Sequence, residues 1–379
     1  MNKSGPARVV FPFVGDSVGG AQICSLLLIQ NLNRSQFDPL VVLHQKGPLA
    51  KYFEAQGQTY EYLPLSTFVG SSRGISDQAI AAALTIPRLI RFFLSERVSL
   101  VHTQDGRMNL TWALPARLSG CRFVWHQRAH PGRSRIFNRM VPLAHRVLCV
   151  SHFVAEKLPS FTRTRQVVID DPHDTAASSF QRGEARAALS SELGCEQNTP
   201  IVGFFGNLTK QKRPNIFLEA ASLLLERVKT RPLFLLFGAD RDGLASRYQM
   251  HAESLGISDN VRFMGFRSPA EPYMSACDLI IAPAVDDAFP RVLIEAMLME
   301  TPVVAARSGG HEEILKHGES GLLVAPDEAA GFAEAALALL EDRAMAEKLG
   351  RTARENAVNR YSVKSHVEAV EKVYRDILG

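Results

Sequence analysis

The sequence predicts an α/β protein built as two successive domains, each a parallel sheet with helices on both faces. Three observations carry that expectation. A chain of 379 residues exceeds one ordinary core and suits two. Short apolar runs rich in Val, Ile, Leu and Phe alternate with longer helical stretches, the pattern of parallel strands joined by crossover helices. The alternation occurs twice, and a polar stretch near 170–199 separates the two series.

In the first series, strands are predicted at Arg8–Val14, Pro39–Leu43, Leu100–His102, Phe123–His126, Arg146–Val150 and Gln166–Ile169. Helices are predicted at Gly20–Asn33, Ile75–Glu96, Arg107–Leu118 and His152–Leu158. The linker holds a short helical segment, Gln181–Leu193. In the second series, strands are predicted at Ile201–Phe205, Leu233–Gly238, Val261–Met264, Leu279–Ala282 and Pro302–Ala305. Helices there are Asn215–Lys229, Ala245–Leu255, Arg291–Met299 and Ala329–Gly350, and a last amphipathic stretch is Ser362–Leu378. The predicted domains are 1–175 and 176–360, with 361–379 as a terminal helix.

Composition narrows the function. Hydrophobic content of 46% and charged content of 22% are those of a soluble globular protein. A net charge of +4 is mild, and no run pairs aromatic with basic residues as a nucleic-acid surface does, so no nucleic-acid partner is expected. Cys24, Cys121, Cys149, Cys195 and Cys277 are odd in number and lack metal-ligand spacing, which reads as free thiols in a reducing cytoplasm. The polar start and the short run Val9–Val14 do not make a signal peptide, and no stretch reaches the roughly 18 apolar residues of a membrane span. Asp240-Arg241-Asp242, in the loop after Phe237-Gly238, has the form of a metal-binding pair, and no other metal constellation stands out.

The segment 286–297 is the most informative. A buried strand ends at Pro283, and a helix is predicted to begin near Pro290. Its first N–H groups and positive dipole end make a ready phosphate site. Asp287 sits at its mouth, and Glu295 lies a turn or more inside. The plain alternative is an acidic helix cap followed by one surface Glu.

The spacing of Asp287 and Glu295 resembles the Glu-x7-Glu motif of retaining, nucleotide-sugar-dependent glycosyltransferases with the GT-B fold, in particular the large family four. Further stretches match in the same order: Gly19-Gly20-Ala21-Gln22, Val150-Ser151, Gly206-Asn207-Leu208 with Lys212, Val261-Arg262-Phe263-Met264-Gly265, and Ser308-Gly309-Gly310-His311-Glu312-Glu313-Ile314. The chain departs from the family at Asp287, where Glu is usual, at Asn207, where Arg is usual, and at Asp171-Pro172, where Asn-Gly is usual. The resemblance implies two Rossmann-like domains facing each other across a cleft, with the C-terminal helix returning to the first.

It also implies residue roles. Lys212 contacts the donor diphosphate, with Lys210, Arg213 or Arg291 standing in for the absent arginine at Asn207. Phe289, Arg291 and Val292 face the phosphates. Glu295 accepts hydrogen bonds from the ribose diol, and a carboxylate suits a vicinal pair of hydroxyls. Asp287 and His126 lie near the transferred sugar, His126 being at a strand's C-terminal end where open α/β sheets bind ligands. Gly19 and Gly20 let backbone approach the ligand. Arg128 and Arg133, in a basic run with Arg135 and Arg139, bind an anionic acceptor or form a solvated face.

The function so implied is transfer of a sugar from a nucleotide-diphosphate sugar to a glycan or lipid-linked acceptor, with no metal or other cofactor, in bacterial glycan or glycolipid assembly. A catalytically degenerate nucleotide-sugar-binding protein and a nucleotide-sugar epimerase remain as alternatives. The expected location is cytoplasmic. The run 86–94 mixes Arg with bulky apolar side chains, as an interfacial helix on the membrane face does and as a core-facing helix does.

Overall fold

The computed structural model describes residues 5–69, 75–131, 135–175 and 181–379. The chain divides into two compact units, 1–172 with 363–379 and 173–362.

In the first unit the elements run β1 (Ala7–Phe13), α1 (Gly20–Asn31), β2 (Phe37–Leu43), α2 (Pro48–Ala55), β3 (Glu61–Tyr62), α3 (Ile75–Ser95), β4 (Leu100–Thr103), α4 (Gly106–Leu118), β5 (Arg122–Gln127), α5 (Arg135–Met140), β6 (Arg146–Cys149), α6 (His152–Lys157) and β7 (Gln166–Val168). All seven strands pair in parallel, in the order β3-β2-β1-β4-β5-β6-β7.

The second unit holds α7 (Arg182–Leu193), β8 (Ile201–Phe205), α8 (Pro214–Leu225), β9 (Leu233–Phe237), α9 (Ala245–Ser254), β10 (Val261–Gly265), α10 (Glu271–Ala276), β11 (Leu279–Ala282), α11 (Arg291–Leu298), β12 (Val303–Ala306), α12 (His311–Ile314), β13 (Leu322–Val324), α13 (Ala329–Glu341) and α14 (Arg343–Arg360). Its six strands are also parallel, in the order β10-β9-β8-β11-β12-β13. In each sheet the chain winds one way and then the other, so the order reverses at β1/β4 and at β8/β11. Ligands of such sheets bind beyond the strand ends at that reversal.

The central strands are buried on both faces, which explains their continuous apolar runs. Val202, Phe204, Phe217, Phe234 and Leu279 anchor the second core. Val9, Phe11, Phe13, Leu28 and Phe53 anchor the first. The last helix, α15 (Val363–Leu378), belongs to the first unit. Its buried residues Val367, Val370, Val373, Tyr374 and Ile377 recur at helical spacing and join that core. Glu371 on the same helix accepts a 2.7 Å bond from the Asn33 amide. The return of the final helix, which the family resemblance implied, is therefore present.

Two short strands, β3 and β13, were too brief to register as apolar runs. The predicted helix 329–350 is two helices, because Asp342 leaves helical geometry and caps α14 by accepting from the Met345 amide at 2.9 Å. On α3, Leu89 and Phe93 are buried while Arg88 and Arg91 are exposed, so a core-facing stripe accounts for much of its pattern. Ile80, Leu84 and Leu94 nevertheless remain 58–68% exposed on that helix. Among the described residues no disulfide forms, and four of the five cysteines are buried.

His102, His126 and His366 are buried within the first unit, as is His44. Burial, then Arg128, holds His366 down at about 4, against opposition from Asp171 and the Asp170 carbonyl. The folded state thus keeps His366 neutral while the unfolded chain takes up a proton below its ordinary value of 6.5. Stability is present above 6.5 and is lost as pH falls toward 4. His366→Asn retains a donor for the Asp170 carbonyl, and the slope of unfolding free energy between pH 6.5 and 4.5 should lessen by up to about 1.4 kcal/mol per pH unit. Urea titrations across that range test this, and an unchanged slope would refute it.

Candidate functional site

In the second unit, the loops leaving β8, β11 and β12 are locked together by backbone contacts. Gly238 has φ +156°, and a Cβ there would lie 1.8 Å from the Gly206 carbonyl oxygen, so the ends of β8 and β9 run side by side only with glycine present. The Val285 amide donates to the Gln211 carbonyl at 3.2 Å, and Gln211 Nε2 donates to the Asp286 carbonyl at 3.2 Å. Gly309 has φ +59° and would meet the Asp287 carbonyl oxygen at 2.8 Å with a Cβ added. The Gly310 amide donates to that same oxygen at 2.8 Å. The pair Gly309-Gly310 is what lets the loop after β12 close onto 286–288.

This frame places the charged residues. The Lys212 side chain lies over Gly206, 3.6 Å from where a Cβ would stand, and its ammonium donates to Asp287 Oδ2 at 2.5 Å. Neither partner is more than 27% exposed. Arg291 opens α11, following Pro290, and donates to Glu295 at 3.2 Å one turn on. Val292 supplies an amide in the first turn of the helix. Burial raises the Glu295 carboxyl above its ordinary value; Arg291 opposes this, Glu271 adds to it, and Lys212 opposes it more weakly. Of the predicted donor residues, Lys212, Asp287, Arg291 and Glu295 are thus brought into one cluster where the strand order reverses, Val292 follows Arg291 in the first turn of α11, and the Phe289 ring packs beside His173 and Tyr361. Asn207 follows Gly206 in the same loop. Arg213 is engaged elsewhere: it donates to the Pro326 carbonyl at 2.6 Å and pairs with Asp327. Lys210 is exposed.

His311 was not singled out by its residue type. It is buried, its Nδ1 sits 2.8 Å from the Ala306 carbonyl, and its Nε2 has no partner among the described residues. Burial lowers it; Asp287 raises it and Lys212 lowers it, so it senses both halves of the ion pair. The Gly309-Gly310 pair just before it was the available signal.

The first unit carries a cavity of about 470 Å3 at its own reversal. Ala21 and Gln22 from the start of α1, Gln104 to Arg107 between β4 and α4, and His126 to His130 at the end of β5 line it. Gly19 is extended, at φ −154°, and Gly20 is the first residue of α1, so neither dihedral demands glycine. Arg128 is not part of a solvated helix face. Its side chain is buried, ion-paired with Asp171, and its Nε donates to Gln104 Oε1 at 3.1 Å. One guanidinium nitrogen of Arg128 and Nε2 of Gln104 stay without partners among the described residues. Asp171, which departs from the family's Asn, is the counter-charge that burial of Arg128 requires. Arg135 and Arg139 are exposed on α5, and Arg133 lies outside the described residues. Among the described residues, no group of three or more His, Cys, Asp or Glu gathers as metal ligands would.

His126 is the second-last residue of β5 and is fully buried. Its Nδ1 lies 3.2 Å from His102 Nε2, and His102 Nδ1 lies 2.5 Å from the Tyr374 hydroxyl. Burial raises Tyr374 well above its ordinary value, so it keeps its proton, and His102 is its hydrogen-bond partner. The Tyr374 O–H therefore donates to His102 Nδ1. His102 then carries its proton on Nε2 and donates to His126 Nδ1. His126 is left with its proton on Nε2, which has no partner among the described residues. Residue 126 thus offers a hydrogen-bond donor, and burial, with Arg128 adding to it, holds both rings neutral.

Fold and clusters together define a GT-B protein: two reversal-point sites on parallel sheets, with a terminal helix packed in the first unit. Family models agree. "Glycosyltransferase Family 4" matches residues 18–176, and "Glycosyl transferases group 1" matches residues 186–356. Between them the two matches span most of the chain, which belongs to this family of glycosyltransferases.

Among curated relatives, a D-inositol 3-phosphate glycosyltransferase of Corynebacterium jeikeium is 34% identical over 206 residues, covering 52% of this chain and 49% of that protein. One of Nocardia farcinica is 37% identical over 172 residues, covering 44% and 38%. The chain matches about half the length of these relatives or less. Among solved structures, that of Anabaena Alr3699/HepE in complex with UDP and glucose has TM-score 0.81 at 22% identity, covering 97% of this chain and 99% of that one. A glycosyltransferase from Rickettsia africae has TM-score 0.86 at 18% identity, covering 98% and 99%.

Tyr374→Phe removes the proton that orders the histidine relay. Nitrogen-15 NMR of His126 should show Nε2–H in the native chain and a mixture of tautomers in the variant. An unchanged tautomer would overturn the relay.

Proposed function

We propose that this chain transfers a sugar from a nucleoside-diphosphate sugar to a hydroxyl acceptor, with retention of configuration and without a metal ion. The observation that carries the reading is the cluster of Lys212, Asp287, Arg291 and Glu295 at the opening of α11. Departure of a diphosphate builds negative charge, and fixed cations with a helix N-terminus stabilise it where it forms. Lys212 exchanges Asp287 for the diphosphate when donor binds, which frees Asp287 to accept from the sugar's hydroxyls. Glu295 receives the ribose diol, and Arg291 serves the phosphates in place of the arginine absent at Asn207. His126 donates from Nε2 to an oxygen of the sugar or acceptor. The HepE complexes contain UDP, so a UDP-sugar is the first donor to test. The named relatives act on D-inositol 3-phosphate, and the unit 1 cavity, where one Arg128 nitrogen and Gln104 Nε2 have no partner among the described residues, suits a polyhydroxylated acceptor bearing an anionic group.

Lys212→Ala and Glu295→Ala should each lower transfer at least a hundredfold. Their stabilities should differ. Removing Lys212 leaves Asp287 partly buried without its cation, a loss of roughly 1–3 kcal/mol. Glu295→Gln removes a carboxylate whose ionised form is disfavoured by burial, so at pH 7 it should melt no lower than the native chain while binding UDP more weakly by calorimetry. Full transfer in either alanine variant would end the site assignment.

Among the described residues, no helix is long and apolar enough to cross a membrane. We propose peripheral contact through α3, whose exposed Ile80 and Leu84 stand beside Arg88 and Arg91. Ile80→Ser with Leu84→Ser should abolish co-sedimentation with anionic vesicles, and failure of the native chain to sediment removes the idea.

A further inference from the structure

A second cavity, of about 350 Å3, lies in the first unit, lined by Arg117, Arg122, His145, Arg146, Arg165 and Asp376 among others. It sits at the opposite end of the first unit's sheet from the cavity that His126 lines. Arg122 begins β5 and Arg146 begins β6, whereas His126 stands near the other end of β5, about 13 Å along the strand at roughly 3.3 Å per residue.

Its charge is unbalanced. Four guanidinium groups meet one carboxylate, Asp376, and none of these five side chains forms an ion pair among the described residues. Two of the arginines are braced: Arg165 donates to the Pro142 and Ala144 carbonyls, and Arg146 donates to the His145 carbonyl at 2.9 Å. Arg117 and Arg122 are exposed, and among the described residues their side chains make no hydrogen bond. His145 accepts from the Phe123 amide through Nδ1 at 3.0 Å, so its ring proton is on Nε2, a further donor. Burial lowers His145, and Arg122, Arg117, Arg165 and Arg146 each lower it further, so all four arginines act on one ring.

We propose that this cavity binds a phosphate-bearing ligand, held by Arg117, Arg122, Arg146 and Arg165 and by the Nε2–H of His145. The volume falls at the small end of ligand pockets, roughly 300–1,000 Å3, and suits a diphosphate or phosphate ester. Arginine forks match phosphate oxygens in pairs, and the two unbraced arginines are available to close on them. By linkage, an anion that binds beside His145 raises the ring's proton affinity, and protonation strengthens anion binding equally. This site is independent of the transfer reading and of the donor cluster.

The test uses the full chain carrying Lys212→Ala, which weakens the donor site, and pyrophosphate as probe. Calorimetry should give one binding event, and NMR titration of His145 should move its midpoint upward when pyrophosphate is present. Adding R117Q and R122Q should weaken binding at least tenfold and abolish the His145 shift, while the melting temperature stays put because neither side chain bonds to the fold. Vesicles with and without phosphatidylglycerol separate the sources: binding to vesicles alone, lost in the same variant, assigns the site to a lipid headgroup, and binding of pyrophosphate in solution assigns it to a free phosphate. If neither probe distinguishes the parent from the double variant, the proposal is wrong.

Discussion

The contact on which the donor cluster depends is the ion pair between Lys212 and Asp287. It joins the loop after β8 to the loop after β11, the two strands between which the sheet order reverses. Gln211 joins these two loops by a backbone and a side-chain bond, and Gly310 ties the loop after β12 to Asp287, so the ammonium and carboxylate are placed by the fold rather than by each other's attraction alone. A half-buried pair of this kind contributes little net stability, because desolvation offsets much of the Coulombic gain. Its value is positional: a cation and an acceptor are set 2.5 Å apart at the opening of a helix, each a ready partner for part of a phosphorylated sugar.

Departures from the family pattern fall into two kinds. Asp171 is accounted for by the structure. It neutralises Arg128, whose side chain is buried against it, and a neutral Asn at that position would leave a guanidinium stranded. Asp287 is similarly accounted for, since its shorter arm already reaches Lys212. Asn207 is different: Arg213 is held by the Pro326 carbonyl and Asp327, so the role proposed for the absent arginine falls to Arg291, which pairs with Glu295 at the opening of α11.

The strands of both sheets were legible because strands buried on both faces must be apolar throughout, and Ile201–Phe205 or Leu279–Ala282 admits little other reading. The two missed strands lie at sheet edges and have two or three residues, too few for periodicity. The grouping of Lys212, Asp287, Arg291 and Glu295 was legible because its members are close in sequence or preceded by glycine turns that force the loops together. The first unit's site was harder. His126 was visible as a histidine at a strand end, but its partners His102, Tyr374 and His366 come from positions up to 248 residues distant, and only packing reveals them. The same holds for Arg128, which reads as one of a basic run until Asp171 is found beside it.

Glu295 shows why a site of this kind sits uneasily with its own fold. In the role proposed for it, Glu295 accepts a diol as a carboxylate, yet burial raises its carboxyl above the ordinary value, against the opposition of Arg291 and Lys212. An apolar or amide side chain would serve the helix as well. The arrangement makes sense once a ligand's hydroxyl donors replace the missing water around the carboxylate, because the interaction is then realised on binding and not before. In the proposed reading, the cation shared with Asp287 and the desolvated Glu295 are two forms of the same condition, and a diphosphate with a diol answers both at once.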